Sequence, residues 1–68
     1  MKTEHGYPIV ESYQIENNRY LVRIVREGNL HNHVVWNMTA DGKCSEGSYF
    51  STEDEAKAGF ARRRSSYQ

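Results

Sequence analysis

The stretch 9–26 constrains the fold more than any other part of the chain, because it is typical of two strands joined by a tight turn. Asn17–Asn18 predicts a two-residue turn, since Asn tolerates the positive φ that such turns require. This turn places Glu16 opposite Arg19 in an antiparallel hairpin. Because successive side chains point to opposite faces of a strand, every later pair follows from this one.

With this pairing, one face of the hairpin is apolar and is predicted to face the core. It collects Tyr13, Ile15, Tyr20, Val22 and Ile24. The second face is mixed in character and is predicted to face outward. It collects Ser12, Gln14, Glu16, Arg19, Leu21 and Arg23, with Val10 and Val25 at its far end.

Two further segments after the hairpin carry strand signals. Val34–Thr39 alternates in polarity, with Trp36 on its apolar side, and predicts a third strand. Asp41–Gly42 is a turn signal. Lys43–Tyr49 then forms either a fourth strand or an ordered loop, because its Ser and Gly residues have poor strand propensity.

The C-terminal segment predicts a helix near Thr52–Arg64. Thr52 and Glu55 make a capping box, in which the hydroxyl accepts the Glu55 amide and the carboxylate reaches back to the amide of the cap. Ser51, with Asp54 three residues later, is a competing cap. The sequence therefore places a helix start immediately after the last strand signal.

Taken together, these elements predict an α+β fold: an antiparallel meander of three strands, or four, with one C-terminal helix packed on one face. Ala56 and Phe60, one helical turn apart, are expected to contact the sheet. Gly59 costs about 1 kcal/mol relative to Ala in a helix, so it predicts a close helix-to-sheet contact. Residues 1–68 are expected to be one small domain, with 1–8 as a flexible arm.

Charge and cysteine content narrow the classes of function. Nine basic and nine acidic residues cancel, which removes the global attraction to nucleic acid or anionic membrane. Cys44 is the single cysteine, so no disulfide forms within the chain, and a reducing compartment is expected. The sequence holds no apolar run long enough to span a membrane. We expect a cytoplasmic protein without a membrane partner.

Candidate chemistry is sparse. His31 and His33, with Cys44 or His5, could supply zinc ligands, but no paired Cys or His spacing accompanies them, which favours a solvated loop. Cys44 with a histidine base and Asp41 could form a nucleophilic triad, but a domain this small offers little volume for a substrate pocket. We therefore expect no metal, cofactor, small-molecule substrate or catalytic activity.

Arg62, Arg63 and Arg64 are a possible phosphate contact, with Tyr67 nearby. Basic residues in a last helical turn also complement the helix dipole. Consecutive residues spread around a helix rather than forming one stripe, so the structural role is favoured.

The mixed face of the hairpin is the candidate binding surface, since its apolar members suit a protein partner or a second copy of the chain. The predicted partner-binding residues are Val10, Ser12, Gln14, Arg19, Leu21, Arg23, Val25 and Val35. The leading hypothesis is a non-enzymatic module that binds a protein or itself through this face. The alternative is a small nucleic-acid-binding or regulatory protein that reads DNA with Arg19, Arg23 and Gln14.

The segment Ser48–Arg64 resembles the strand-to-helix corner of the three-stranded DNA-binding domains of plant ethylene-response factors and of the arm-binding segment of tyrosine integrases. The resemblance is carried by Phe50, Thr52, Glu55, Ala56 and Phe60. Capping and packing explain the same residues. The dense basic residues of those families are missing here, and 37–48 has no counterpart in them.

Overall fold

The computed structural model describes residues 3, 6–26 and 32–68. The elements are β1 (Ile9–Glu16), β2 (Arg19–Val25), β3 (His33–Thr39), β4 (Cys44–Phe50) and α1 (Glu53–Ser65). The strands form one antiparallel sheet in the order β1-β2-β3-β4, and α1 packs against it. The predicted α+β fold is confirmed, and the stretch after the Asp41–Gly42 turn is a strand rather than a loop.

The β1–β2 register differs by one residue from the predicted one. The pair that flanks the turn forms as predicted, but the register then shifts at Ile15. Tyr13 therefore pairs with Leu21 rather than with Val22. A second register shift lies at Val10. Each bulge adds one residue to β1 without adding one to β2, and so moves the following side chains to a new set of neighbours.

The sheet is buried on both faces, which the predicted arrangement did not include. We call the side under α1 the helix face; its buried cluster is Leu21, Val35 and Phe60, flanked by Tyr13, Ile15, Phe50 and Tyr67. We call the opposite side the back face; its buried cluster is Val22, Ile24, Val34, Trp36 and Met38. The prediction that Tyr13 and Ile15 share one face with Tyr20, Val22, Ile24 and Trp36 is wrong. The bulge at Ile15 separates the two groups.

The described part of the N-terminal segment lies on the back face. Tyr7 packs against Trp36, with 6.4 Å between the ring centroids. Thr3 is buried, its amide donates to the Tyr7 carbonyl at 3.3 Å, and its hydroxyl accepts from the Tyr7 amide at 3.2 Å. Gly6, at φ +83°, closes the turn between them by donating to the Thr3 carbonyl. The other members of the predicted arm before Gly6 lie outside the described residues.

The predicted helix cap and helix-to-sheet contact are both confirmed. The Thr52 hydroxyl accepts from the Glu55 amide at 3.2 Å, and it donates to the Glu55 carboxylate at 3.0 Å. The carboxylate thus bonds the hydroxyl of the cap rather than its amide. A Cβ on Gly59 would clash with Cζ of Phe50, so a larger residue here would force the ring or the helix to shift.

Candidate functional site

The eight predicted partner-binding residues do not form one exposed surface. Leu21 and Val35 are completely buried, and Arg23 is only 7% exposed. Val25 is half-buried. The predicted outward direction of these β2 and β3 side chains is wrong, because α1 packs on β2 and β3 from that side. Clear exposure remains for Val10, Ser12, Gln14 and Arg19.

The basic side chains of β2 are engaged by the carboxylates of β1. Arg23 donates through Nε to Glu11 at 2.9 Å, and Arg19 donates through Nη1 to Glu16 at 2.6 Å. Gln14 pairs with Tyr20, whose side chain packs on the back face, so Gln14 belongs to that face. Arg19 and Arg23 lie on the opposite face, because successive side chains of β2 alternate. The grouping of Gln14 with the two arginines on one DNA-reading surface is therefore wrong.

Arg63 is bound into the sheet by its guanidinium group. Nη1 donates to the Val35 carbonyl at 3.0 Å, the Glu46 carbonyl at 2.7 Å and the Ser48 hydroxyl at 3.3 Å. Nη2 donates to Asn37 Oδ1 at 3.0 Å. The Arg63 side chain thus joins α1 to both β3 and β4, at the register shift between Val35 and Asn37.

The partners of Arg63 are themselves connected. Asn37 donates through Nδ2 to the Glu46 carboxylate at 2.7 Å and accepts from the Tyr67 hydroxyl at 3.3 Å. Glu46 has φ +56°, which is uncommon outside glycine, and this bond holds its side chain in place. This hydrogen-bond network holds α1 against β3 and β4. Arg63, the central arginine of the predicted phosphate contact, therefore has a structural role.

The two arginines beside Arg63 differ from it and from each other. The Arg64 guanidinium lies 5.0 Å from the ring centroid of Tyr13, a cation–π arrangement between α1 and β1. Arg62 is exposed. The three arginines thus point to different surroundings and do not converge on one phosphate-sized site.

The strand β1 has an open outer edge. It lies at the end of the sheet, and the described residues add no strand beyond it. Helix α1 packs mainly on β2, β3 and β4, which leaves β1 beside the helix rather than beneath it.

A groove of about 320 Å³ follows this uncovered part of the sheet. Glu11 lines it from β1, and the side chains opposite are Lys57, Phe60, Ala61, Arg64, Ser65 and Gln68. We call β1 together with this groove the β1 edge site. It combines the outer edge of a strand with a groove that holds two cationic groups, Lys57 and Arg64, and one carboxylate, Glu11.

Among the described residues, the groups proposed for a triad do not assemble around Cys44. Cys44 pairs with Met38, whereas His33 lies at the opposite end of β3. The Cys44 thiol donates to the Gly42 carbonyl at 3.4 Å. Thr39 donates its hydroxyl to Asp41, and this bond is the main cause that lowers the pKa of the Asp41 carboxyl. Cys44 and Asp41 therefore each have a local turn partner.

The predicted metal ligands fall partly outside the described residues, since His5 and His31 belong to the undescribed segments. Among the residues that the structure does describe, no three His, Cys, Asp or Glu side chains are grouped so that they could hold a metal ion. In the same part of the chain, no helix is long and apolar enough to cross a membrane.

Comparison of this chain with protein-family models, curated proteins and solved structures returns no match. The class is therefore defined by the structure alone: an α+β domain with a four-stranded antiparallel meander, one C-terminal helix and an open β1 edge.

The sequence predicts a phosphate contact for Arg64 and a sheet contact for Phe60, but it does not predict that they line a groove with Lys57, Ala61 and Ser65 of α1. Their signal is helical spacing, since Lys57, Ala61 and Arg64 are four and three residues apart and share one side of the helix. That spacing alone does not show which strand lies beside the stripe, so the site required the tertiary structure.

Proposed function

We propose that this chain is a non-enzymatic interaction module that binds a protein partner, or a second copy of itself, through the β1 edge site. The observation that carries the proposal is the open outer edge of β1, next to a groove that α1 leaves uncovered. The bound segment would be an extended strand that continues the sheet, in the manner of β-strand addition.

The side chains of β1 favour this mode of binding. The strand has eight residues and so spans about 26 Å. Natural proteins often protect an edge strand with lysine, with proline, with β-bulges or with unpaired inward charge. β1 has bulges at Val10 and Ile15, which leave 11–14 as its regular segment. Here Ser12 and Gln14 are neutral and exposed, and both carboxylates of the strand are engaged by arginines of β2. Little electrostatic repulsion therefore opposes an incoming strand.

Backbone complementarity supports a protein partner over nucleic acid. An edge strand offers alternating amide and carbonyl groups that another polypeptide matches. The nearby basic groups Arg19 and Arg23 are already paired with carboxylates, and Arg64 is stacked on Tyr13. Cys44 is half-buried and is the single cysteine of the chain, which supports a cytoplasmic setting for the module.

Photo-crosslinking in the natural host cell tests the proposal. A photoreactive amino acid replaces Val10, which is 51% exposed on β1, and the same probe replaces Ala58 on the exposed side of α1 as the matched control. We expect a covalent protein adduct from position 10 and none from position 58. Gel electrophoresis followed by mass spectrometry identifies the adduct.

A second variant makes the test specific to strand addition. Ser12→Lys with Gln14→Lys places positive charge along the edge, which disfavours an added strand. The adduct from position 10 should then disappear while circular dichroism remains that of the unsubstituted protein. If position 10 gives no adduct, or if the adduct persists with both lysines present, the proposed function is wrong.

A further inference from the structure

We infer that the strand which binds β1 is the β1 strand of a second copy, paired antiparallel about a two-fold axis at Tyr13. The two sheets would then join into one continuous sheet of eight strands. This inference rests on the proposed function and assigns its partner.

The central part of β1 suits pairing with itself. Its pairing with β2 is regular from Glu11 to Gln14, between the two register shifts. With the axis at Tyr13, the two Tyr13 rings face each other on the helix face. Ser12 faces Gln14 of the second copy, and Gln14 faces Ser12 of the second copy. Each central pair is thus aromatic with aromatic or neutral polar with neutral polar, which are favourable cross-strand pairs.

Charge complementarity favours the second copy over an unrelated strand. The groove carries the cations Lys57 and Arg64 beside β1. Lys57 forms an exposed ion pair with Glu53 at 3.4 Å, and Arg64 lies over the Tyr13 ring, so each keeps N–H groups for a further carboxylate. β1 has two carboxylates, Glu11 and Glu16. Both lie on the helix face, because Glu11 bonds Arg23 and Glu16 bonds Arg19 on that face. Those bonds use one oxygen of each carboxylate. With the axis at Tyr13, Glu16 of the second copy lies opposite Val10, next to Glu11 and the groove, whereas Glu11 of the second copy lies opposite Ile15. The relation is reciprocal, as two-fold symmetry requires.

The typical area of a protein interface indicates how much of this surface a stable dimer must bury. A specific interface buries about 800 Å² on each partner, which is about one fifth of the 4271 Å² accessible on this chain. A strand edge would have to be supplemented by neighbouring side chains to reach that area. The groove side of α1 lies next to the edge and is uncovered, so the two-fold arrangement brings both surfaces of each copy together.

Charge-swapped variants of the purified full chain test the inference. One variant carries Ser12→Lys with Gln14→Lys, and the other carries Ser12→Glu with Gln14→Glu. In the two-fold pair these positions face each other, so each variant alone places like charges opposite one another. Sedimentation velocity should show a dimer for the unsubstituted chain and a dimer affinity weakened about tenfold or more for each variant. An equimolar mixture should restore the dimer, since lysine then faces glutamate.

Asp54→Asn with Ala58→Lys is the matched control for the lysine variant, because it raises the net charge by the same two units on the exposed side of α1. It should leave the dimer intact, and circular dichroism verifies that every variant is folded. A monomer for the unsubstituted chain at millimolar concentration overturns the inference. A dimer that survives both lysines, or a mixture of folded variants that stays monomeric, also overturns it.

The outcome also separates this inference from the proposed function. If the crosslink from position 10 identifies a different protein and the purified chain is monomeric, the second copy is not the partner and the interaction module stands. If position 10 gives no protein adduct at all, the module itself fails. An adduct between two copies of the chain supports both.

Discussion

At the scale of single residues, Arg63 shows how a side chain with an obvious binding chemistry can be used by the fold. Its guanidinium donates to two backbone carbonyls, one hydroxyl and one amide oxygen on β3 and β4. The planar, multidentate geometry of arginine permits all four contacts from one group. Arg63 therefore anchors the last turn of α1 to the sheet, while its neighbours face other surroundings.

We predict that Arg63→Ala lowers the free energy of unfolding by about 2–3 kcal/mol, because buried acceptors lose a charged donor. Arg63→Lys should recover less than half of this loss, since one ammonium group cannot reach acceptors in both directions. Urea denaturation followed by circular dichroism measures both. Arg62→Ala is the matched control and should change stability by less than about 0.5 kcal/mol, because Arg62 is exposed. Equal losses for the two alanine variants would contradict the anchoring role.

At the scale of elements, the contact between α1 and β4 sets how closely the helix approaches the sheet. Gly59 lies on the buried side of α1 and faces the ring of Phe50 at the end of β4. The absence of a side chain at Gly59 lets the helix axis come close enough for Ala56 and Phe60 to be buried. Gly59 has a low helix propensity, and the close packing of α1 on the sheet offsets this cost.

Gly59→Ala is expected to lower the free energy of unfolding by about 1 kcal/mol, although alanine is the better helix former. The added methyl would clash with Phe50 Cζ, so the ring or the helix must shift. In a Phe50→Leu background the clash is relieved, and Gly59→Ala should become neutral or stabilising. A double-mutant cycle by urea denaturation measures this coupling. An identical effect in both backgrounds would show that the ring is not the cause.

At the scale of the whole molecule, the sheet is a central layer covered from both sides. Helix α1 covers the helix face, and Tyr7 packs with Ile9 and Tyr20 around the buried cluster of the back face. β2 and β3 are consequently buried on both sides, while β1 alternates between half-buried and exposed residues along its whole length. β1 and β4 are the two edge strands among the described residues, and the groove beside α1 adjoins the edge of β1.

Tyr7→Ala should expose Trp36 and shift its fluorescence emission to longer wavelength. Trp36 is the only tryptophan, so the signal reports this site alone. Loss of the ring contact should also lower the free energy of unfolding by about 1–2 kcal/mol, less than for a fully buried aromatic residue. Tyr67→Ala, the same substitution on the helix face, should leave the emission wavelength unchanged. A red shift of equal size in both variants would contradict the placement of Tyr7.

Much of the fold could be predicted from local patterns. The Asn17–Asn18 turn, the alternation of β1 and the capping box at Thr52 each depend on neighbouring residues, and each is found where the sequence places it. The candidate site was less predictable. The sequence predicts that Val10, Ser12 and Gln14 face outward, and they are exposed. It predicts the same for Leu21 and Val35, which are fully buried.

The sequence by itself determined the order and type of the elements, because turn, cap and alternation signals act over a few residues. Only the tertiary structure decided which side of each strand faces α1. The bulge at Ile15 moves Tyr13 from Val22 to Leu21, and this shift depends on contacts between strands. Consecutive apolar residues in β2 and β3 signal burial on both faces, yet alternation cannot distinguish two buried faces from each other. The open edge of β1 follows from that tertiary arrangement.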